Sequence, residues 1–229
     1  MFKAIQDFLS LFFPRTCVGC QESEALQGDV LCLDCLVNLP YLQENYQQGN
    51  TFEMHFAGHL PIRHGMALFY YQKQSITQRL IQNFKYQGRL DIARRFAPEL
   101  AQLIKNSPIF TPIEAVVPVP MHWLKQRQRG YNQSAVLAQA LAHELGVPVI
   151  NMLGKVAFSR SQTTKDRLGR LSSLRGKYRL TKVDVEWENK HVLLVDDVLT
   201  TGATLETCGQ LLLSIPGCQL SLATLAMGR

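Results

Sequence analysis

Two groups of residues have the types and spacing to do chemistry. The first is Cys17-x2-Cys20-x11-Cys32-x2-Cys35. Each Cys-x2-Cys turn can bring two thiolates onto one ion, and four thiolates fill the tetrahedral shell of Zn²⁺ at about 2.3 Å per bond. A filled shell leaves no position for water, so such a site is structural rather than catalytic. Gly19 is expected to relax the first tight turn, and Asp34 to face solvent. Two disulfides or four free thiols are the competing readings. The chain start shows no small-residue cleavage site, so a reducing, cytoplasmic location is expected, which disfavours disulfides. Four exposed thiols crowded into 19 residues would be a liability.

The second group is HVLLVDDVLTTGAT, residues 191–204. The apolar run Val192 to Val195 leads directly into Asp196 and Asp197. Val198, Leu199 and the turn Thr200-Thr201-Gly202-Ala203-Thr204 follow. A buried strand gains nothing from two adjacent negative charges. In a parallel α/β sheet, ligands bind beyond the carboxyl ends of the strands, and this turn would lie there. Its N–H groups and three hydroxyls would converge at a helix N-terminus, where the dipole favours an anion. Gly202 would let the backbone approach closely. The segment is too short for a Walker A loop and lacks Gly-Lys-Thr. A phosphate cradle beside two carboxylates suits a ribose 5-phosphate unit. Its phosphate would take the loop, and its 2- and 3-hydroxyls the acids, directly or through a divalent cation. Neighbouring strand residues point to opposite faces. Both acids can therefore serve one ligand only if the strand has already turned into the loop.

These groups need elements to hold them. ALFYY at 67–71 reads as a strand. SITQRLIQNFKYQG at 75–88 has Ile76, Leu80, Ile81 and Phe84 at helical spacing and ends at Gly88. Asp91 is expected to cap a helix that Pro98 kinks or divides. EAVV at 114–117 is a buried strand running into Pro118-Val119-Pro120. Asn132 caps the helix QSAVLAQALAHELG, and a short strand follows near 147–150. Residues 158–177 are polar and basic and read as a loop with at least one helical turn. A strand at 191–196, a helix at 203–214 and a strand at 219–226 complete the chain. This alternation predicts an α/β domain with a mostly parallel sheet. The expected organisation is an amphipathic helix (1–14), a four-cysteine zinc knuckle (15–40), a connecting segment (41–66) and the α/β domain (67–229). His55, His59 and His64 read as ordinary loop histidines, because Gly58 and Pro61 interrupt the helix that would align the first two.

Composition fits a globular protein: 229 residues, 46% hydrophobic and 18% charged. No apolar run approaches the roughly 18 residues of a membrane span. Ile5, Phe8, Leu9, Phe12 and Phe13 share a helical face that packs on the body or lies on a membrane surface. Residues 121–190 hold 13 of 24 Lys+Arg but 5 of 18 Asp+Glu. That excess suits ligands from a sugar diphosphate to a nucleic acid, or is a solvated basic face. Cys208 and Cys218 read as buried free thiols.

VLLVDDVLTTGAT resembles the phosphoribosyl diphosphate (PRPP) motif of type I phosphoribosyltransferases. Joined to a four-cysteine knuckle, it resembles the ComF/GntX family, the competence protein F group of bacteria. FKYQGR (84–89) and PVPMHWLKQRQRGYNQS (118–134) also resemble segments of that family, so the likeness covers nearly the whole chain. It implies a phosphoribosyltransferase fold binding PRPP or a related ribose phosphate with Mg²⁺, in natural transformation or DNA utilisation. Single-stranded DNA and a competence helicase or recombination mediator are the partners such a role would bring. By the same resemblance, Pro118, Val119 and Pro120 would grip pyrophosphate, or form a rigid strand exit. Lys85, Lys125, Arg127 and Arg129 would neutralise pyrophosphate or a DNA backbone. Tyr131 would stack on a base or pack in the core, with the amides of Asn132 and Gln133 beside it. Arg167 and Arg170, with Arg160, Lys165 and Arg175, resemble a hood that closes over the diphosphate.

One departure matters. The hypoxanthine type carries an acid at the first position of the Thr-Thr-Gly loop, and Thr200 stands there in this chain. Orotate and adenine types also lack that acid, so no catalytic base is assigned. Three functions remain open: a competence factor on this fold, an active salvage phosphoribosyltransferase, and a zinc-containing nucleic-acid-binding module with a relic site.

Overall fold

Apolar strands alternate with helices whose buried faces cover them on both sides. The architecture comes from a computed structural model that describes residues 16–45, 47–107, 112–156, 177–181 and 185–228. The helix expected at 1–14, and Arg160, Lys165, Arg167, Arg170 and Arg175, lie outside the described residues. Four parallel strands form the main sheet in the order β1-β6-β5-β2: β1 is His64–Tyr71, β2 Ala115–Pro118, β5 His191–Leu199 and β6 Gln219–Gly228. Leu153–Lys155 (β3) and Tyr178–Leu180 (β4) make a separate antiparallel pair.

One face of the sheet carries α3 (Ile76–Tyr86), α4 (Asp91–Asn106) and α6 (Gln133–Leu145). The other carries α7 (Ala203–Leu213), the β3–β4 pair and a segment with α2 (Thr51–Met54). Burial on both faces explains why β5 opens as an unbroken apolar run rather than an alternating one. The connection leaving β2 thus turns to one face and that leaving β5 to the other. Their carboxyl ends flank a crevice of the kind where open α/β sheets bind ligands.

Several boundaries differ from expectation. β1 begins at His64 rather than at residue 67. His64 is therefore not a loop histidine. It is fully buried, with Nδ1 against the Glu53 carboxylate and Nε2 2.8 Å from the Asn45 carbonyl. His55 and His59 are exposed, as expected. Residues 41–66 do more than connect: Phe52, Phe56 and Leu60 are core residues under α7. Leu90, not Asp91, is the cap of α4, and Asp91 instead accepts from Arg89 at 2.9 Å. Pro98 neither divides nor ends α4, which runs continuously to Asn106. Pro98 is exposed, as is Arg94, whose carbonyl loses its helical donor there, so water can replace the missing bond. Near 147–150 the strand reduces to a single parallel bridge, Val116 to Val149.

The cysteine knuckle is fastened to the domain rather than standing apart. Cys17, Val18, Val30, Leu31, Cys35 and Leu39 share one buried cluster with Leu68, Phe84 and Phe96. Arg79 on α3 donates to the Gly19 carbonyl at 2.6 Å, and Arg95 on α4 pairs with Asp29.

His191 opens β5 inside the core, with Nε2 2.9 Å from Ser221 Oγ. Burial, aided by the nearby Arg63 charge, pushes its imidazole down to about 4. The unfolded chain therefore binds a proton that the fold rejects as pH falls from about 6.5 towards 4. Stability is fully present above that window and declines through it. His191→Gln should flatten the wild-type loss between pH 7 and pH 5 by about 1–2 kcal/mol. Thermal melts at both pH values check this, and parallel slopes for the two proteins would refute it.

Candidate functional site

Strand β5 reaches further than the sequence implied. Both Asp196 and Asp197 lie within it, and pairing with β6 continues to Leu199. The expectation that the strand had already turned into the loop at the acids is corrected. The two carboxylates accordingly take different neighbours. Asp196 Oδ1 accepts from Ser134 Oγ at 2.7 Å, whereas Asp197 pairs with Lys85 Nζ at 3.1 Å. Burial first, and the adjacent Asp197 charge second, push the Asp196 carboxyl up to about 7. Burial also raises Asp197, against the opposing pull of Lys85 and Arg129. Like charges one residue apart in a low-dielectric setting cannot both ionise cheaply.

Beyond the acids, Asp196 and residues 198–205 line an open recess. Gly202 is the N-cap of α7, with φ of +72°. It is thus required by a left-handed backbone, and a Cβ there would also come within 3.2 Å of the Phe56 ring. The first N–H groups of α7 have no partner within the helix, and residues 203–205 line the recess together with Thr200 to Gly202. Hydroxyls, N–H donors and a helix dipole at one end, with carboxylates at the other, match a phosphate joined to a polyol.

The two outlying motifs converge on the acids by binding each other. Tyr131 Oη donates to the Phe84 carbonyl, and Gln133 Nε2 donates to the Lys85 carbonyl at 3.0 Å. Arg129 lies over the Tyr86 ring at 4.6 Å and donates to its hydroxyl at 3.1 Å. Asn132 caps α6 by accepting from Ser134 N–H, and donates to the Val119 carbonyl at 3.0 Å. Val119 N–H continues the sheet onto Val195 at 3.0 Å, so both its main-chain groups are engaged. Pro118 ends β2 and Pro120 is half-buried beside it. Arg127 projects into solvent from α5 (Trp123–Arg129). The candidates Lys85, Arg129 and Tyr131 are therefore brought together by contacts between residues 84–86 and 129–133, Asn132 is tied to Val119, and Arg127 is exposed. Ser134, which sets Asp196 in place, is the residue that sequence reasoning misses. A polar residue at a helix start carries no ligand signature of its own.

The four knuckle sulfurs lie within 4.8 Å of one another, with Cys20 and Cys32 Sγ 3.9 Å apart. A tetrahedral site with bonds of about 2.3 Å requires separations near 3.8 Å, so the arrangement fits a metal. Backbone N–H groups of Gly19 and Cys32 donate to Cys17 Sγ at 3.3 and 3.2 Å, as thiolates require. N–H donors from Ser23 and Glu22 push the Cys20 thiol down to about 6. All six cysteines are free. Gly19 serves differently from expectation: a Cβ there would sit 2.8 Å from Cys35 Sγ. It makes room for the cluster rather than relaxing a strained turn. Asp34 is exposed, as expected. Among the described residues, no helix is long and apolar enough to cross a membrane.

Several known proteins are similar to this chain. Residues 132–229 match the phosphoribosyl transferase domain. Competence protein F of Haemophilus influenzae is 30% identical, covering 88% of this chain and 92% of its own length. Competence protein ComFC of Bacillus subtilis is 26% identical over 62% of this chain and 56% of its own. DNA utilization protein YhgH of Escherichia coli is 28% identical over 58% of this chain and 60% of its own. A solved purine phosphoribosyltransferase from Pyrococcus horikoshii is 21% identical, with a TM-score of 0.38, over 62% of this chain and 75% of that one.

Proposed function

Because the chain belongs to the competence protein F family, we propose that it serves natural transformation or DNA utilisation by binding PRPP, or a related ribose phosphate, at the carboxyl end of β5. The observation that carries this is the pair Asp196 and Asp197, desolvated at the head of an N–H-rich loop. A protein that only held a phosphate backbone would be opposed by those charges. Thr200 to Thr204 hold the ribose 5-phosphate, Asp196, which lines the same recess, faces its hydroxyls, and Asp197 acts through Lys85, with which it pairs. Mg²⁺ arriving with the diphosphate supplies charge neutralisation, and the hard carboxylate oxygens suit it. Pro118 to Pro120, Lys85, Arg127 and Arg129 flank the diphosphate or the DNA strand, together with Arg167 and Arg170. The cysteine cluster holds structural Zn²⁺ and fixes α3, which carries Lys85. The setting is cytoplasmic, where internalised single-stranded DNA and a competence helicase or recombination mediator would be met.

Calorimetry with PRPP and Mg²⁺ tests the reading. One molecule should bind per chain, and Thr201→Ala should weaken it about tenfold by removing a hydroxyl from the cradle. No heat with the wild-type protein would leave the module with a relic site. Pyrophosphate release on adding a nucleobase would instead identify a salvage enzyme.

A further inference from the structure

Tyr86, at the end of α3, is 64% exposed. A lone exposed ring is ordinary on a protein surface. The surroundings of this one are not. The Arg129 guanidinium lies over its ring at 4.6 Å and donates to its hydroxyl at 3.1 Å. The ring is thus held in place with a cation on one face, and its exposure leaves the other face open. Tyr86 also lines an open groove with Gln21, Gln82, Asn83, Gln87 and Arg89.

That groove is a seam between the cysteine knuckle and α3. Gln82, Asn83 and Tyr86 stand one turn apart on the same side of the helix. Gln21 comes from the knuckle, directly after Cys20, and has a left-handed backbone with φ of +65°, uncommon for a residue with a side chain. Its N–H donates to the Cys17 carbonyl at 2.9 Å, which fixes it to the first Cys-x2-Cys turn. Arg79, two turns before Tyr86 on α3, binds the Gly19 carbonyl at 2.6 Å and closes the seam. The two walls are therefore held together. Among the described residues, the side-chain amides of Gln21, Gln82 and Gln87 have no hydrogen-bond partner within the protein. Asn83 spends its Nδ2 on the Arg79 carbonyl at 2.9 Å and keeps its Oδ1 free.

An open ring face beside unused amides suits a flat heterocycle that stacks on the ring and presents donors and acceptors at its edge. The charges nearby say what such a heterocycle is attached to. Arg89 in the groove is paired with Asp91. By contrast, α5 ends at Arg129 and exposes Lys125 and Arg127. Lys125 lies one turn before Arg129 on the same helix face. Among the described residues, no carboxylate forms an ion pair with Lys125, Arg127 or Arg129. Unpaired cations beside a stacking ring match a phosphate chain that carries bases. A duplex hides its base faces, so only a single strand can use the ring.

We propose that the seam between the cysteine knuckle and α3 is a base-stacking site for single-stranded nucleic acid. One base lies on the open face of Tyr86, its edge meets the amides of Gln21, Gln82 and Asn83, and the adjoining phosphates meet Arg129 and Lys125. The inference rests on the single-stranded DNA of the reading above and is independent of its ribose phosphate. It gives the knuckle a task besides stability, since Gln21 is a wall of the site.

The test is fluorescence anisotropy of an end-labelled single-stranded oligonucleotide titrated with the full chain. Tyr86→Ala should weaken binding about 5- to 100-fold, the loss of one base–aromatic stack. Tyr86→Phe keeps the ring and should bind within about threefold of wild type, while Gln21→Ala should cost about two- to tenfold. All three sites are exposed, so these variants should melt like wild type. An oligonucleotide with abasic sites keeps its phosphates and lacks the bases. Wild type should bind it more weakly than the intact strand, and Tyr86→Ala should no longer tell the two apart. If wild type binds intact, abasic and duplex DNA alike, or if Tyr86→Ala binds within twofold of wild type, the base site is overturned. Calorimetry with PRPP and Mg²⁺ on the same wild-type protein separates the readings. If PRPP binds and the strand does not, this inference falls and the ribose-phosphate site stands. If the strand binds through Tyr86 and PRPP does not bind, the reverse holds.

Discussion

Cys17→Ser should yield a protein with under about a tenth of its zinc and a melting temperature lowered by about 10 °C or more. Structural zinc binding is worth about 10–16 kcal/mol in small zinc modules. A loss of only about 4 kcal/mol would produce such a shift, at about 2–4 °C per kcal/mol for a chain of this size. Cys17 is the most connected of the four ligands. It is fully buried, and its sulfur accepts N–H groups from both Cys-x2-Cys turns, those of Gly19 and Cys32. Losing the metal would not stay local. Val18, Val30 and Leu31 are packed into the cluster that holds Phe84 and Phe96, so a loosened knuckle uncovers α3 and α4. The Arg79 bond to the Gly19 carbonyl and the Arg95–Asp29 pair would go with it. Metal analysis alongside thermal melts is the check. Cys218→Ser, at a buried cysteine outside the cluster, should keep its full zinc. A Cys17→Ser protein that retained one zinc per chain, or melted within about 2 °C of wild type, would contradict the assignment.

Much of this arrangement is legible from local chemistry. The Cys-x2-Cys pairs come together as their spacing implies, and the Asp-Asp-x2-Thr-Thr-Gly string runs from a strand into a helix as its pattern implies. Capping residues mark helices as directly: Ser75 and Asn132 stand where the helical spacing places them. What is not legible depends on long-range contact. The His64 side chain reads as a loop residue because nothing nearby in sequence announces Glu53 and Asn45 as its partners. Gly19 reads as a turn residue because the sulfur it makes room for arrives sixteen positions later. Tyr131, with the amide of Gln133 beside it, reads equally as a base-stacking ring or a core residue, because an aromatic ring beside amides is also what holds a base. In the fold these groups bond to the main chain of Phe84 and Lys85 instead. Sheet extension is the same kind of fact. Whether β5 ends before or after its acids is decided by the length of β6 beside it, which residues 191–199 do not state.

The pair of acids should cost the protein stability, and Asp196→Asn should return it. The folded chain holds the Asp196 proton up to about pH 7, whereas an unfolded aspartate releases it near 3.9. Between those values the folded state binds the extra proton, so wild-type stability falls as pH rises through the window and stays low above it. Asparagine cannot ionise, yet its Oδ1 can still accept from Ser134 Oγ and from Asp197 N–H, the two bonds that hold this side chain. The two proteins should therefore melt alike near pH 4 and diverge above it. By pH 8, Asp196→Asn should be more stable by about 1–3 kcal/mol, allowing for solvent relaxation around a half-buried group. Asp197→Asn should gain less or nothing, because it strands the Lys85 ammonium that Asp197 neutralises. Binding should move the other way. Both variants should lose PRPP affinity by about 100-fold, and wild-type affinity should climb from pH 6 to pH 8 as Asp196 ionises. A residue that weakens the fold and strengthens ligand capture is kept for the ligand. If Asp196→Asn proved less stable than wild type at pH 8, or bound PRPP unchanged, Asp196 would be a structural residue and the ribose-facing role assigned to it would be wrong.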